Sequence, residues 1–268
     1  FRVTAWIENV PEGMLSPGTW MVNTQTRKVY LWPEGERPSE DIYVPLLREL
    51  IRVEGRNDES GDADEPVKGL CFTGLQFTKA DRGIWKADDA GIQHDWEMMD
   101  KDNAMLRFRG AEGCRVEACS FFNAGGNAIR MDLYARDIHV TRCLFHNLGQ
   151  SAVMMLGYGP GTKDVNSNHE IVNNHIHHCG EVYWHSQMIT CFQSGNNRIA
   201  HNYIHHVPRK GICICGVRLH MIAEGKSGRR ECVSTIRWSE IGTIESYTDL
   251  LPYQHSHQSR IHAGPGAV

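Results

Sequence analysis

Two phrases in the second half of the chain are nearly one phrase: HEIVNNHIHHCG at 169–180 and NRIAHNYIHHVP at 197–208. Self-similarity of this kind constrains a fold more than any other feature of the sequence. A short repeated unit cannot bury its apolar face alone, so successive copies must stack. The shared register has an apolar residue at position one, a small or amide residue at position four and an apolar residue at position six. VEACSF from Val116 to Phe121, VTRCLF from Val140 to Phe145, IVNNHI from Ile171 to Ile176 and IAHNYI from Ile199 to Ile204 all fit it. FTGLQF from Phe72 to Phe77 is an earlier copy, with Leu75 in the fourth position. Successive copies lie 44, 24, 31 and 28 residues apart, and the long first gap contains the insert KADRGIWKADDAGIQHDWEMMDKDNA.

Each copy is accompanied by a second short apolar segment: LIRVE, MLRFR, AIRMD, AVMML, MITCF and ICICG, about six in all. Their length and alternation are those of strands. Gly, Asn and Asp mark the joins. The predicted fold is all-β: a right-handed, single-stranded parallel β-helix of about six coils, in which each short strand pairs with its equivalent one coil away. Leucine-rich repeats are the main rival, but L-x-x-L-x-L and a helical back are not visible. Stacking places Cys119, Cys143, Asn174 and Asn202 in one internal ladder, where Asn at a tight turn adopts the left-handed conformation and bonds its neighbour's backbone.

Three segments follow from this reading. Residues 1–48 form an N-terminal hairpin and lead-in, since PGTWMVNTQTRKVYLWP reads as two alternating strands around NTQTRK. Residues 49–216 form the β-helix. Residues 217–268 hold an incomplete rung and an irregular tail. RNDESGDADEP at 56–66 reads as a solvated acidic loop. The net charge of −4 implies no nucleic-acid partner, and no apolar run is long enough for a membrane span. The nine cysteines contain no C-x-x-C pair and are expected to be free thiols in or near the core. The chain starts at Phe1 without a signal-like segment and is expected to be a fragment or a mature product.

The phrases PGTWMVNTQTRKVYLWP, GYGPGTKDVNSNHEIVNNHIHHCG, YWHS and QSGNNRIAHNYIHH resemble the right-handed β-helix proteins of the pectin-lyase-like superfamily. They are most similar to bacterial secreted β-helix glycosidases and their uncharacterised relatives. The resemblance spans roughly residues 5–216. It implies a carbohydrate-active protein, secreted or periplasmic, whose partner is a polysaccharide or oligosaccharide and which hydrolyses or eliminates glycosidic bonds. Relatives usually continue for several more coils bearing further carboxylates.

Inserts in a solenoid gather on one face. GYGPGTKDVNSN leaves the strand at Ala152–Leu156, and GEVYWHS enters the next strand at Met188–Phe192. Strand alternation points Arg107, Arg130 and Asp132 outward on the same sheet. Glycosidic hydrolysis needs two carboxyl groups flanking the bond. Asp132 and Asp164 are the first candidates and Glu181 the third, with His185 as a general acid or base. Tyr183 or Trp184 would stack on a sugar ring, and Arg107, Arg130 and Lys163 would bind substrate. Each has a structural alternative: Asp132 pairing with Arg107 or Arg130, Asp164 capping its own insert, Glu181 solvated, His185 pinning its insert. No cofactor is required for hydrolysis. A lyase acting on uronates would use Lys163, Arg130 or Arg107 as base, with Ca²⁺ held by Asp132 and Asp164. A non-catalytic glycan-binding scaffold is the third reading. The columns His146, His177, His205 and Asn147, His178, His206 recur once per coil, which stacking explains without a metal.

Overall fold

The computed structural model describes residues 10–37, 42–82, 104–158 and 163–215. Most of the insert before Ala104 and the segment 217–268 lie outside the described residues. The chain divides into two compact units, Phe1–Val44 and Pro45–Val268. In the first unit, Trp20–Asn23 pairs antiparallel with Lys28–Leu31, as the alternation predicts. Asn23 closes the turn, its side-chain oxygen accepting the backbone N–H groups of Gln25 and Thr26.

The second unit is a stack of coils built on three parallel sheets. The first sheet runs through Ile51–Glu54, Ala104–Glu112, Asn127–Arg136, Val153–Leu156, Gln187–Phe192 and Lys210–Cys215. The second contains Cys71–Thr73, Arg115–Glu117, His139–Thr141, Glu170–Val172 and Arg198–Ala200. The third contains Gln76–Thr78, Ser120–Ala124, Leu144–Leu148, His175–Cys179 and Tyr203–His205. Successive coils stack strand on strand in each sheet, so residues separated by a whole coil become neighbours. Val116 pairs with Val140, Val140 with Ile171 and Ile171 with Ile199.

The interior follows the register. Val116, Phe121, Val140, Phe145, Ile171, Ile176, Ile199 and Ile204 are all fully buried. Removing each from water contributes about 1.5–3 kcal/mol. Phe77, Phe121 and Phe145 stack with ring centroids 4.6 and 5.1 Å apart, close to the spacing of paired strands. Cys114, Cys119, Cys143, Cys179, Cys191 and Cys213 are buried free thiols, and Cys71 is a free thiol at the surface. Burial pushes the Cys143 thiol up to about 12.

The ladder at position four is buried as expected, and it differs from the sequence reading in one respect, the position of the left-handed residue. Cys119, Cys143, Asn174 and Asn202 are buried, but Leu75 is 44 % exposed. Its coil stands at the end of the second and third sheets, so the ladder begins at Cys119. The left-handed residue is one position earlier than expected: Gly74, Ala118, Arg142, Asn173 and His201 have φ between 49° and 67°. That conformation costs a non-glycine residue roughly 1–2 kcal/mol. In the first four it aims the N–H at the next coil, as from Ala118 to the Thr141 carbonyl at 3.0 Å and from Asn173 to that of Ala200 at 3.2 Å. Asn174 and Asn202 then satisfy what the turn leaves. Asn202 Oδ1 accepts the Asn174 backbone N–H at 3.0 Å, and its Nδ2 donates to the Ile171 carbonyl at 2.7 Å.

The acidic loop is solvated, with Glu59, Asp62 and Glu65 exposed, and it is also held in shape by its own hydrogen bonds. Asp58 accepts backbone N–H groups of Ser60, Gly61 and Ala63, which hold its carboxyl below the usual range. Lys163 Nζ donates to the Asp58 carbonyl at 2.6 Å and pairs with Asp64 at 2.5 Å, clipping the loop to a distant coil. No helix among the described residues is long and apolar enough to cross a membrane.

Candidate functional site

The outer face of the first sheet carries the three charged residues expected there, in the expected columns. Arg52 pairs with Arg107 and Arg107 with Arg130, while Arg109 lies beside Asp132. Their environment is the correction. Arg107 and Arg130 are 3 % exposed and Asp132 is 2 % exposed. Arg107 Nε donates to one Asp132 oxygen and Arg130 Nε to the other, each at 2.5 Å. Arg107 also reaches Glu49 at 3.3 Å, and Glu49 accepts two bonds from Arg52. A carboxylate buried this far must be paired, because an isolated buried charge is too costly to keep. Asp132 is therefore the centre of an ionic network, and both its oxygens are engaged. Farther along the face the neighbours become Met154 and Leu156, then Thr190, and these are buried as well.

Lys163 is also buried, its ammonium held by the Asp58 carbonyl and Asp64 with the Tyr158 ring 5.7 Å away. Neither Lys163 nor the two arginines stands as an open substrate contact or base. Asp164, next to Lys163, is exposed.

The second insert, Gly180–Ser186, sits at the entry to its strand of the first sheet. Its seat is made by Gly149, whose carbonyl accepts the N–H groups of Val182 at 3.1 Å and Tyr183 at 2.9 Å. A side chain on Gly149 would stand 2.1 Å from the Gly125 carbonyl, so only glycine allows this approach. Glu181 N–H donates to Leu148 and Gly180 N–H to Gln150. Tyr183 points into the protein and is buried, which removes it as a sugar platform. Trp184 is 39 % exposed and remains the candidate. His185 is half-buried, and its carbonyl accepts the Gln187 side-chain amide at 2.7 Å.

Glu181 is an exposed residue whose carboxyl rests against the third sheet. Asn147 Nδ2 donates to it at 3.5 Å. Desolvation pushes its pKa up, and His146 and the Asn147 bond oppose this without cancelling it.

The four catalytic candidates, Asp132, Asp164, Glu181 and His185, therefore fall into two places. Val153 pairs with Ile189 and Leu156 with Phe192, so the insert after Leu156 and the insert before Gln187 occupy opposite ends of the same strands. Asp132, in register with Leu156, and Asp164 lie toward the exit end. Glu181, Trp184 and His185 lie toward the entry end, where the third sheet turns into the first. The sequence reading missed Glu49 and the imidazoles of the third sheet as local partners. The doubled HIHH and YIHH phrases were the signal for the second of these.

Among the described residues, no three His, Cys, Asp or Glu are placed to hold a metal ion together. Asp132, already bonded to two guanidinium groups, is not free to be a calcium ligand.

No curated protein and no solved structure matches the chain. Residues 104–225 match the family model described as right handed beta helix region, which covers the coils from Ala104 onward. With its three parallel sheets, the protein is all-β and its fold is a right-handed parallel β-helix.

Proposed function

We propose that this is a carbohydrate-active β-helix protein that contacts a polysaccharide along the 180–186 insert and hydrolyses a glycosidic bond there, with Glu181 as proton donor and His185 of the same insert, in place of a second carboxyl group, as the base that activates the attacking water. One observation carries the reading. Glu181 is exposed, and desolvation shifts its carboxyl group toward the protonated form. A general acid needs that combination at near-neutral pH. Trp184 on the same insert offers an exposed ring for a sugar face. The resemblance to pectin-lyase-like glycosidases supports the substrate class. The lyase reading has less support, because its candidate bases Arg107, Arg130 and Lys163 are engaged in buried ion pairs.

The test is release of reducing ends from a panel of plant and algal polysaccharides. Glu181→Gln should lower kcat about 10²–10⁴-fold while leaving the unfolding midpoint unchanged. Asp132→Asn should instead destabilise by about 3–5 kcal/mol, because it leaves buried guanidinium groups uncompensated. Unsaturated ends absorbing in the near ultraviolet would make the protein a lyase. Binding without release of any product would make it a glycan-binding scaffold. Full activity in the Glu181→Gln variant would remove Glu181 from the mechanism.

A further inference from the structure

The outer face of the third sheet carries imidazoles that the proposed hydrolysis does not use. His146, His177 and His205 form one column, with ring centroids 5.3 and 5.1 Å apart. Coil stacking accounts for that column. It does not account for His175. In the ladder His175 is paired with Leu144 on one side and Tyr203 on the other. Its Nε2 nevertheless lies 2.7 Å from Nε2 of His205, on the diagonal between adjacent coils. A repeat generates columns, whereas a diagonal nitrogen–nitrogen contact brings two ligand atoms together from different directions.

We infer that His175 and His205 form a two-imidazole site for a first-row divalent ion of the nickel, copper or zinc class, with water completing the coordination shell. Imidazole nitrogen suits these ions, whereas calcium and magnesium prefer oxygen. An ion about 2.0–2.1 Å from both nitrogens, at a tetrahedral angle, needs them about 3.3 Å apart. The pair therefore opens by roughly 0.6 Å, a small rotation of either ring. The protons also balance. His205 Nδ1 lies 2.5 Å from Nδ1 of His206. With its proton on Nδ1 and donated to His206, His205 directs the Nε2 lone pair at His175. A metal-bound histidine commonly has such a partner on its other nitrogen. The single proton between His175 and His205 moves to His175 Nδ1 when the ion takes its place, so nothing is oxidised or reduced. His177 is bonded to His178 through their Nδ1 atoms at 2.8 Å and stays outside the pair. Tyr203 flanks it, its ring 5.1 Å from His175 and 4.5 Å from His205. His206 is a positioning residue here, not a ligand.

The site does not depend on hydrolysis at Glu181, and its test reads metal directly. The full chain, without an affinity tag and stripped with chelator, is titrated calorimetrically with Ni²⁺ and Zn²⁺ near pH 7.5, where imidazole is neutral. One ion per chain is expected, and Ca²⁺ should give no heat. His175→Ala and His205→Ala should each weaken binding at least tenfold. His206→Ala should weaken it about 10–100-fold while keeping both ligands. His139→Ala, on the second sheet, should change nothing. To separate ligation from folding, Cu²⁺ on the unsubstituted chain is read by electron paramagnetic resonance, which should show two imidazole nitrogens. Absence of binding, a copper spectrum without imidazole nitrogen, or unchanged affinity in the His175→Ala/His205→Ala double variant would overturn the site.

Discussion

His169 shows how a single residue can record the whole environment of a coil. It is fully buried, its Nδ1 accepts the Ile138 backbone N–H at 3.3 Å, and its Nε2 faces Asn166 Oδ1 at 3.2 Å. Asn166 uses its amide nitrogen to donate to the Met131 and Leu133 carbonyls, so its oxygen is the acceptor and His169 carries its proton on Nε2. A second proton would have to enter against a backbone N–H. Burial drives the pKa from the ordinary 6.5 down to about 3. The unfolded chain therefore binds a proton before the folded one does. Stability from this residue is constant above about pH 7 and falls from pH 6.5 toward pH 3, with a slope on the order of 1.4 kcal/mol per pH unit. The upper part of that window lies above the ordinary carboxylate values, so it can be read separately. Urea midpoints measured between pH 7.5 and 5 should fall for the parent and stay flatter for His169→Gln. Equal slopes would show that this histidine does not control acid stability.

At the scale of elements, the turns between the second and third sheets add inter-coil bonds to those of the sheets. The left-handed residue at position three turns the backbone, and the amide at position four ties one coil to the next. Asn202 takes two donors from Asn174, the backbone N–H at 3.0 Å and the side-chain amide at 2.9 Å. Asn202→Ala leaves those donors buried and unmatched and should cost about 1–3 kcal/mol in chemical denaturation. A midpoint within error of the parent would contradict that role. The amide ladder was legible from Asn174 and Asn202 recurring in one register. The position of the left-handed residue was not, since Ala118 and Arg142 are poor predictors of that conformation and adopt it because the stack supplies acceptors. The inserts follow the same division. Their existence was legible as interruptions of the repeat, whereas the seating of Tyr183 inside the protein depended on the Gly149 carbonyl lying beneath it.

Across the whole molecule, stability in a stacked solenoid is a sum of coil and interface contributions. Central coils have a neighbour on both sides, and the coil of Phe72 and Phe77 has its strands at the end of two sheets. Hydrogen exchange should therefore be slowest in the strands His139–Thr141 and Leu144–Leu148 and faster in Cys71–Thr73 and Gln76–Thr78. Uniform protection would mean that the coils unfold as one unit. The sequence by itself determined which residues face inward, because alternation and repeat spacing are local properties that stacking only copies. Val116, Phe121 and their equivalents needed no tertiary information. What surrounds an outward-facing residue was decided only by the tertiary structure. Asp132 between two arginines, Lys163 clipped to Asp64 and His175 on the diagonal to His205 each join residues on different coils. Charge and spacing along the chain are the same whether such a group is solvated or buried. The assembled stack sets its desolvation and its partners, and with them whether a carboxyl group binds its neighbours or remains free to transfer a proton.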